Sequence, residues 1–257
     1  MNDLKALYDQ RYSGAYRGRL SGYEVARWKA LHHFVRTSVA DVGEARRVLD
    51  YGAGRGLHVA LWESLFPSAE LYFCDISSVA LDRFKSRYPH YAEHCQLVHG
   101  YRADFEDTIF DVVVSIEVME HVHQVRAYLQ DIYRLLKPGG RFIWTTPCAN
   151  RLSIEHIYSM LTKQIETTDD GYRRWKWEDP THVRRLRSCE IKRIMEEEGF
   201  CDIRFRFRAH LFSFLCTRLL PARLRKIGER MMLFDYFLFR RLSNGASMIA
   251  CACKNTY

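Results

Sequence analysis

Apolar positions along the first 150 residues alternate between two rhythms, and each change of rhythm falls on a turn signal. Residues 46–50 form a short apolar run that stops at a glycine-rich turn, as a strand does. Residues 57–66 then follow a helical period as far as Pro67. The same reading gives strands at 70–75 and 95–99, separated by a helix over 77–88 that stops before Pro89. Phe110-Asp-Val-Val-Val-Ser115 is β-branched and apolar on both faces, the pattern of a buried parallel strand. A helix over 125–136 closes at Lys137-Pro-Gly-Gly140, and 141–146 is the next strand. This alternation predicts right-handed βαβ crossovers in an α/β chain, a doubly wound Rossmann-like sheet of seven strands with helices on both faces.

After Pro147 the rhythm breaks. Residues 148–183 are polar and aromatic, an insertion expected over the carboxyl edge of the sheet on the substrate side. Regularity returns with a helix over 188–198 closed by Gly199, and with a period-two strand over 201–208. That strand sets Ile203, Phe205 and Phe207 against Arg204, Arg206 and Arg208. Residues 209–245 are apolar, Arg-rich and helical in spacing, broken at Pro221, and 246–253 is a last strand. The expected division is one domain over 1–257, with cap helices in 1–44 and a core in 45–147. The core ends in 184–208 and 246–257, and the two insertions are 148–183 and 209–245.

Composition is that of a globular chain, with 47% apolar and 27% charged residues. Nine Lys and 30 Arg against 31 acids give a net charge of +8, and the Arg bias favours planar contacts to carboxylates or phosphates. The charge is local. Residues 201–245 hold ten Lys and Arg against three acids, a net +7, and the rest of the chain sums to +1. Eight cysteines show no Cys-x-x-Cys pair, the amino terminus has no signal-like apolar core, and no run approaches a bilayer span. A reducing cytoplasm is the expected compartment.

Val48-Leu-Asp-Tyr-Gly-Ala-Gly-Arg-Gly56 places three glycines two apart after the first strand, where backbone amides can approach a ligand. The acid Asp50 just before them would repel a pyrophosphate and suit an ammonium or sulfonium cation. Asp75, at the end of the second strand, could accept both hydroxyls of a ribose.

These residues, with Phe110-Asp-Val-Val-Val-Ser115, Leu135-Leu-Lys-Pro-Gly-Gly140 and the last two strands, resemble the class I S-adenosylmethionine (SAM)-dependent methyltransferases. The resemblance implies that Asp50, Gly52, Ala53, Gly54 and Gly56 hold the methionine part of SAM, with Asp75 on the ribose. It also implies that Ile76 and Met119 sandwich the adenine, with Glu117 at the cofactor pocket. An acid after strand three often receives the adenine amine in such families. Here Asp104 or Tyr101 is the candidate.

Ser115-Ile-Glu-Val-Met-Glu-His-Val122 sets Glu117, Glu120 and His121 at i, i+3 and i+4, on one face if the segment is helical. The pattern resembles the Glu-x-x-Glu-His of small-RNA 2′-O-methyltransferases and ubiquinone-pathway O-methyltransferases. Together with His182 it implies a divalent-metal site, Mg2+ for instance, on Glu117, Glu120, His121 and His182. The same pattern also occurs in small-molecule methyltransferases of this class that use no metal. His182 and His121 are the candidate catalytic residues, His182 as a general base. No nucleophile elbow is present, so covalent catalysis is not expected. Tyr8-Asp-Gln-Arg-Tyr12 and Trp28 resemble cap helices that close over SAM. Trp175 and Trp177 read either as a stacking platform or as packing.

The basic apolar arm reads as a cap or homodimer face first, a membrane or lipid surface second, and a nucleic-acid surface last. The first expectation for the acceptor is a hydroxyl on a small molecule, a glycan or glycolipid precursor or another anionic metabolite. Thr181-His-Val-Arg184 loosely resembles bacterial enzymes of sugar and envelope pathways. The alternatives are metal-assisted 2′-O-methylation of RNA and a SAM-binding partner subunit without activity.

Overall fold

The parallel core of the chain is built on β1 (Arg47–Tyr51), which pairs with β2 (Glu70–Asp75) on one side and with a later strand on the other. The computed structural model describes residues 2–13, 20–39 and 42–256. The strands that follow are β3 (Cys95–His99), β4 (Arg102–Ala103), β5 (Phe110–Ile116) and β6 (Leu136–Pro147). They continue with β7 (Ile165–Thr167), β8 (Arg173–Trp175), β9 (Phe200–Arg208) and β10 (Ser247–Lys254). The helices are α1 (Asn2–Ser13), α2 (Gly22–Ser38), α3 (Val59–Leu65), α4 (Ser78–Arg87) and α5 (Val125–Leu135). After the core begin α6 (Ile154–Leu161), α7 (Ser188–Glu197), α8 (Phe212–Leu219) and α9 (Arg225–Phe239).

The sheet order is β4-β3-β2-β1-β5-β6-β10-β9. β3, β2, β1, β5 and β6 run parallel, whereas β10 is antiparallel to both β6 and β9. The sheet has eight strands rather than the seven expected, because two residues after Gly100 fold back as β4 on the edge of β3. Strand order reverses at β1, between β2 and β5, which opens a crevice at the carboxyl ends of these strands.

The doubled apolar character of β5 is explained by two cores, one on each face of the sheet. Val113 joins Leu49, Leu129, Phe142, Trp144 and Met195, while Val112 and Val114 join Leu31, Phe34, Val48, Trp62 and Phe84. Lys137-Pro-Gly-Gly140 is not a free turn. It lies inside β6, where a register shift opposite Phe110 and Val112 absorbs it while Leu136 still pairs with Phe110.

Residues 148–183 carry α6 and the β7–β8 hairpin. Trp175 is buried beneath the Arg185 guanidinium, 4.8 Å from its ring centre, and Arg185 pairs with Glu155 at 2.6 Å and with Glu178. Trp177 donates to Ser159 Oγ at 2.9 Å. Both tryptophans pack the insertion down.

Of the arginines of β9, Arg208 is buried and Arg206 half-buried, while Arg204 is exposed. Arg208, 2% exposed, lies 4.4 Å over the Tyr23 ring, Arg206 lies over Phe34, and Arg204 donates to Ser38 O at 2.9 Å. α2, contributed from more than 160 residues earlier in the chain, covers that face. What α9 exposes instead is Ile227, Phe234, Phe237 and Leu238. The inner side of α9 places Asp235 so that its two oxygens accept the backbone amides of His210 (2.9 Å) and Leu211 (3.0 Å). All eight cysteines are free thiols. No helix among the described residues is long and apolar enough to cross a membrane.

Asp235 is fully buried, so Asp235→Ala strands two amides that only it satisfies. A loss of about 3 kcal/mol in urea unfolding is expected. A loss near zero would show that the arm is not part of the cooperative fold.

Candidate active site

A cavity of about 860 Å3 lies at the carboxyl ends of β1, β2, β3 and β5, a size suited to a nucleoside-sized cofactor with a small second ligand. The loop after β1 contributes Gly52, Ala53, Gly54 and Arg55, the end of β2 Asp75 and Ile76, and the segment after β3 Gly100 and Tyr101. The segment after β5 contributes Glu117, Val118, Glu120 and His121, and the insertion contributes His182. Tyr8 and Tyr12 of α1 and Arg27 of α2 close it from the amino-terminal side. The side chain of Arg11 lies outside the described residues.

The glycine loop is pinned to the end of β2. The amides of Gly52 and Ala53 both donate to Cys74 O, at 2.8 and 3.0 Å, and Gly54 donates to Asp75 Oδ2 at 2.8 Å. Gly52 has φ +90°, and a Cβ there would meet Val118 Cγ2 at 2.4 Å, so the close turn requires glycine. Asp75 accepts Ser77 N at 2.9 Å as well, but burial outweighs these bonds and lifts its carboxyl to about 6. Asp50 sits under the loop and does not line the cavity. Its Oδ2 accepts Trp62 Nε1 at 2.7 Å, and burial, with Asp75 nearby, pushes its carboxyl to about 7.

Several of the residues expected at the cofactor pocket are brought together here: Gly52, Ala53, Gly54, Asp75, Ile76, Tyr101 and Glu117 all line the cavity. Gly56 completes the loop behind the wall. Met119 packs in the core below, and Val118 takes the wall position. Asp104 is exposed and outside the cavity. Tyr101 lines the cavity, and its hydroxyl accepts Gln124 N at 3.2 Å.

The expected single face of Glu117, Glu120 and His121 does not form. Glu117 follows β5 directly, with φ +55°, and only Met119–His121 is a helical turn, of 3-10 type. Glu117 consequently turns to Arg27 (3.1 Å) and accepts Thr145 Oγ1 (2.8 Å). Burial pulls its pKa up, but Arg27 and Arg208 outweigh burial and hold it below the ordinary value. Glu120 is buried beside it, accepts Thr146 Oγ1 at 3.0 Å, and is lifted to about 8 by burial and the Glu117 charge. At neutral pH Glu117 is therefore the charged carboxylate and Glu120 the neutral acid.

His121 Nδ1 lies 3.0 Å from Thr181 O and 3.1 Å from Thr181 Oγ1. The carbonyl can only accept, and the hydroxyl donates onward to Asp179 Oδ1 at 2.7 Å. This assigns the proton to Nδ1 and leaves Nε2 as the acceptor atom, 3.9 Å from Glu120 Oε1. The His182 ring packs edge-on to His121 at 4.7 Å between centres, and Tyr8 meets the other side of His121 at 5.7 Å. Glu178, itself paired with Arg185, stands 3.6 Å from His182 Nδ1.

Glu120, His121 and His182 bring ligand atoms within 4.8 Å of one another, and Glu117 is not among them. Two imidazoles with one carboxylate are a nitrogen-rich donor set that suits a transition ion such as Zn2+ better than the oxygen-preferring Mg2+.

Sequence reasoning missed Arg27, Glu178 and His58. His58 accepts Trp28 Nε1 at 2.8 Å and is pressed to about 3 by burial, then by Arg27. Arg27 is recruited by folding from the distant α2, whereas His58 follows the glycine loop by two residues and Glu178 precedes His182 by four, with no motif of their own to mark them.

A family model described as a methyltransferase domain matches residues 23–204. The chain belongs to the class I SAM-dependent methyltransferases, and its cofactor is SAM. Among curated relatives it is 31% identical to a ubiquinone/menaquinone biosynthesis C-methyltransferase of Desulfotalea psychrophila, over 49% of this chain and 50% of the relative. It is 27% identical to a probable S-adenosylmethionine-dependent methyltransferase of Mycolicibacterium smegmatis, over 67% of this chain and 59% of that one. The chain thus spans little more than half the length of these two relatives. A crystal structure of a SAM-dependent methyltransferase from Archaeoglobus fulgidus superposes with a TM-score of 0.56 at 17% identity. That match covers 96% of this chain and 98% of the other, a likeness of fold.

The raised carboxyl of Glu120 sets a pH dependence. Its folded value of about 8 exceeds the ordinary 4.5, so its contribution to stability is full below 4.5 and is lost as pH rises towards 8. Glu120→Gln keeps an acceptor for Thr146 and cannot ionise. The variant is expected to lose less stability than the parent between those pH values, by urea unfolding, and to be the more stable at pH 8. A residual slope from Asp50 and Asp75 is expected in both. Parallel pH profiles would show that Glu120 is not the buried neutral acid.

Proposed function

We propose that this protein transfers the methyl group of SAM to a small hydroxyl-bearing acceptor held in the same cavity, with His182 taking the acceptor proton. The reading is carried by the edge-on pair of His121 and His182 on the wall of the cofactor cavity, with Glu178 behind His182. Bound SAM supplies an electrophilic methyl carbon and its own leaving group, so the protein's share is placement, exclusion of water and removal of a proton.

The roles divide along the cavity. The loop Gly52–Gly54 and Asp75 hold the methionine and ribose end, Ile76, Val118 and Tyr101 the adenine. Tyr8 and Tyr12 cover the reacting end. Glu178, ion-paired with Arg185, stands 3.6 Å from His182 Nδ1, so that a short shift on acceptor binding would let it take the Nδ1–H and present Nε2 as the basic atom. His121, fixed by Thr181, packs against the working ring and limits its rotation. As the acceptor bonds to the methyl carbon, its proton passes to His182 Nε2 and the imidazolium is balanced by Glu178.

Loss of the hydroxyl proton of a phenolic or enolic acceptor raises electron density at the oxygen and at the adjacent carbon alike; a carbon methylated there then loses its own hydrogen to restore the conjugated system. The relative named as a C-methyltransferase favours extending the reading to an activated carbon next to a ring hydroxyl. A glycan or glycolipid precursor remains within the hydroxyl class and has no separate support from the cavity.

Calorimetry is expected to give one SAM site. An acceptor screen with 13C-methyl SAM then separates O-methyl from C-methyl products by carbon chemical shift. His182→Ala should lower kcat by about 10²- to 10⁴-fold with SAM affinity unchanged. Near-normal kcat in that variant would remove His182 from the reaction, and absence of SAM binding would remove the whole reading.

A further inference from the structure

Where the carboxyl-terminal halves of α2 and α9 pack beside β9, a second cavity of about 220 Å3 is lined by Arg206, Arg240 and Arg241 together with His33, Tyr236 and the Thr37–Ser38 hydroxyls. No acid lines it. Among the described residues none of the three guanidiniums forms an ion pair. Arg206 and Arg240 donate only to the carbonyls of Phe205 and Phe237. Of the other buried or half-buried arginines, Arg27, Arg134, Arg184 and Arg185 each hold a carboxylate, whereas Arg208 lies over the Tyr23 ring instead.

The cavity also contains two unanswered polar atoms. Tyr236 is 1% exposed and its hydroxyl has no hydrogen-bond partner, and neither has the buried Nδ1 of His33. Buried donors without partners carry a cost that a ligand with several acceptor oxygens removes. Burial, then Arg240 and Arg206, lower the His33 pKa, so the ring enters as a neutral donor. Three guanidinium-bearing side chains, a phenol, an imidazole and the Ser38 hydroxyl match a tetrahedral anion better than a single carboxylate, the Thr37 hydroxyl being spent on His33 O at 2.7 Å.

We propose that this cavity binds a phosphate group, free or esterified to a small alcohol. The site lies outside the cofactor cavity and its residues take no part in the proposed methyl transfer, so it stands or falls separately. Phosphate of this kind comes from two sources, a soluble ester or a lipid headgroup. The flank of the cavity speaks for considering the second: Phe237 packs edge-on to His33 at 4.8 Å, and Phe237, Leu238 and Leu242 are exposed beside it. The exposed charged residues over 223–242 are Arg223, Lys226, Arg230 and Arg241, all positive, an arrangement suited to an anionic surface.

The test is calorimetric titration of the whole protein with inorganic phosphate and with glycerol 3-phosphate. Saturable binding is expected. Arg240→Gln/Arg241→Gln should weaken it by at least about 10-fold, and Tyr236→Phe by several-fold, through lost charge-assisted and neutral hydrogen bonds. SAM affinity serves as the check that each variant is folded and should not change. Absence of saturable binding in the parent protein, or equal binding in the double variant, overturns the proposal. Co-sedimentation with phosphatidylcholine vesicles containing phosphatidylglycerol, lost in the double variant and competed by phosphate, upholds the site and assigns it to a lipid headgroup. Phosphate binding without vesicle binding upholds it and assigns it to a soluble ester.

Discussion

Two carboxylates three residues apart lie under one cavity, and only one of them can be ionised there. Glu117 and Glu120 resolve that constraint by drawing unlike partners from separate parts of the chain. α2 supplies Arg27 to Glu117, and β6 supplies Thr145 to one carboxylate and Thr146 to the other. The backbone carbonyl of Glu120 accepts the amide of Val183, which ties down the end of the insertion and brings His182 beside His121. β9 contributes the distant charge of Arg208. Removing the ionised member would leave Arg27 buried without a counter-charge, a loss that costs more than the pair contributes. The turn after β5 is therefore where the amino-terminal helices, the sheet and the insertion are brought into register.

The parts of the fold carried by local pattern were legible in the sequence. β2 and β3 begin and end where the apolar runs do, and β5 shows both cores in its unbroken Val112-Val-Val114. The glycine loop and Asp75 were legible for the same reason, since their spacing is a property of one turn. The Glu-x-x-Glu-His face was not. Helical spacing assumes regular dihedrals, and the left-handed backbone at Glu117 breaks the phase before the helical turn begins. That same break moves Val118 to the cavity wall and Met119 into the core. No periodicity argument could have found it, because any residue type can in principle follow the pattern up to Ile116.

Charge along the chain was a poorer guide than charge in space. The +7 of residues 201–245 reads as a uniform basic arm, yet its arginines sit in unlike settings. Arg206 and Arg208 pack beneath α2 over the Phe34 and Tyr23 rings, while Arg204 stays exposed and bonds Ser38 O and Asp202. Arg223 and Arg230 stand outward with Ile227 and Phe234. Arg206, Arg240 and Arg241 converge on a single small cavity from a strand and a helix end. The division depends on α2 packing against β9 and α9, a contact between segments too far apart in sequence for composition to register.

The proton on Glu120 also bears on which acceptors the proposed chemistry can use. An ionised Glu120 would add a second buried negative charge next to Glu117, close to where an acceptor oxygen gains electron density as its proton leaves. Kept neutral, the carboxyl instead offers an O–H, and its Oε1 has no partner among the described residues. The charges there leave no positive surplus: Arg27 on the wall is matched by Glu117, Arg185 behind it is outnumbered by Glu178 and Glu155, and two imidazoles can carry the proton. Such a wall stabilises an anion that forms during the reaction more than one that must be desolvated on entry, because burying a preformed charge without a fixed counter-ion is costly. The arrangement therefore favours acceptors that arrive neutral and ionise in place over acceptors that are anionic from the start, and it shifts the weight from charged metabolites towards phenolic or enolic hydroxyls.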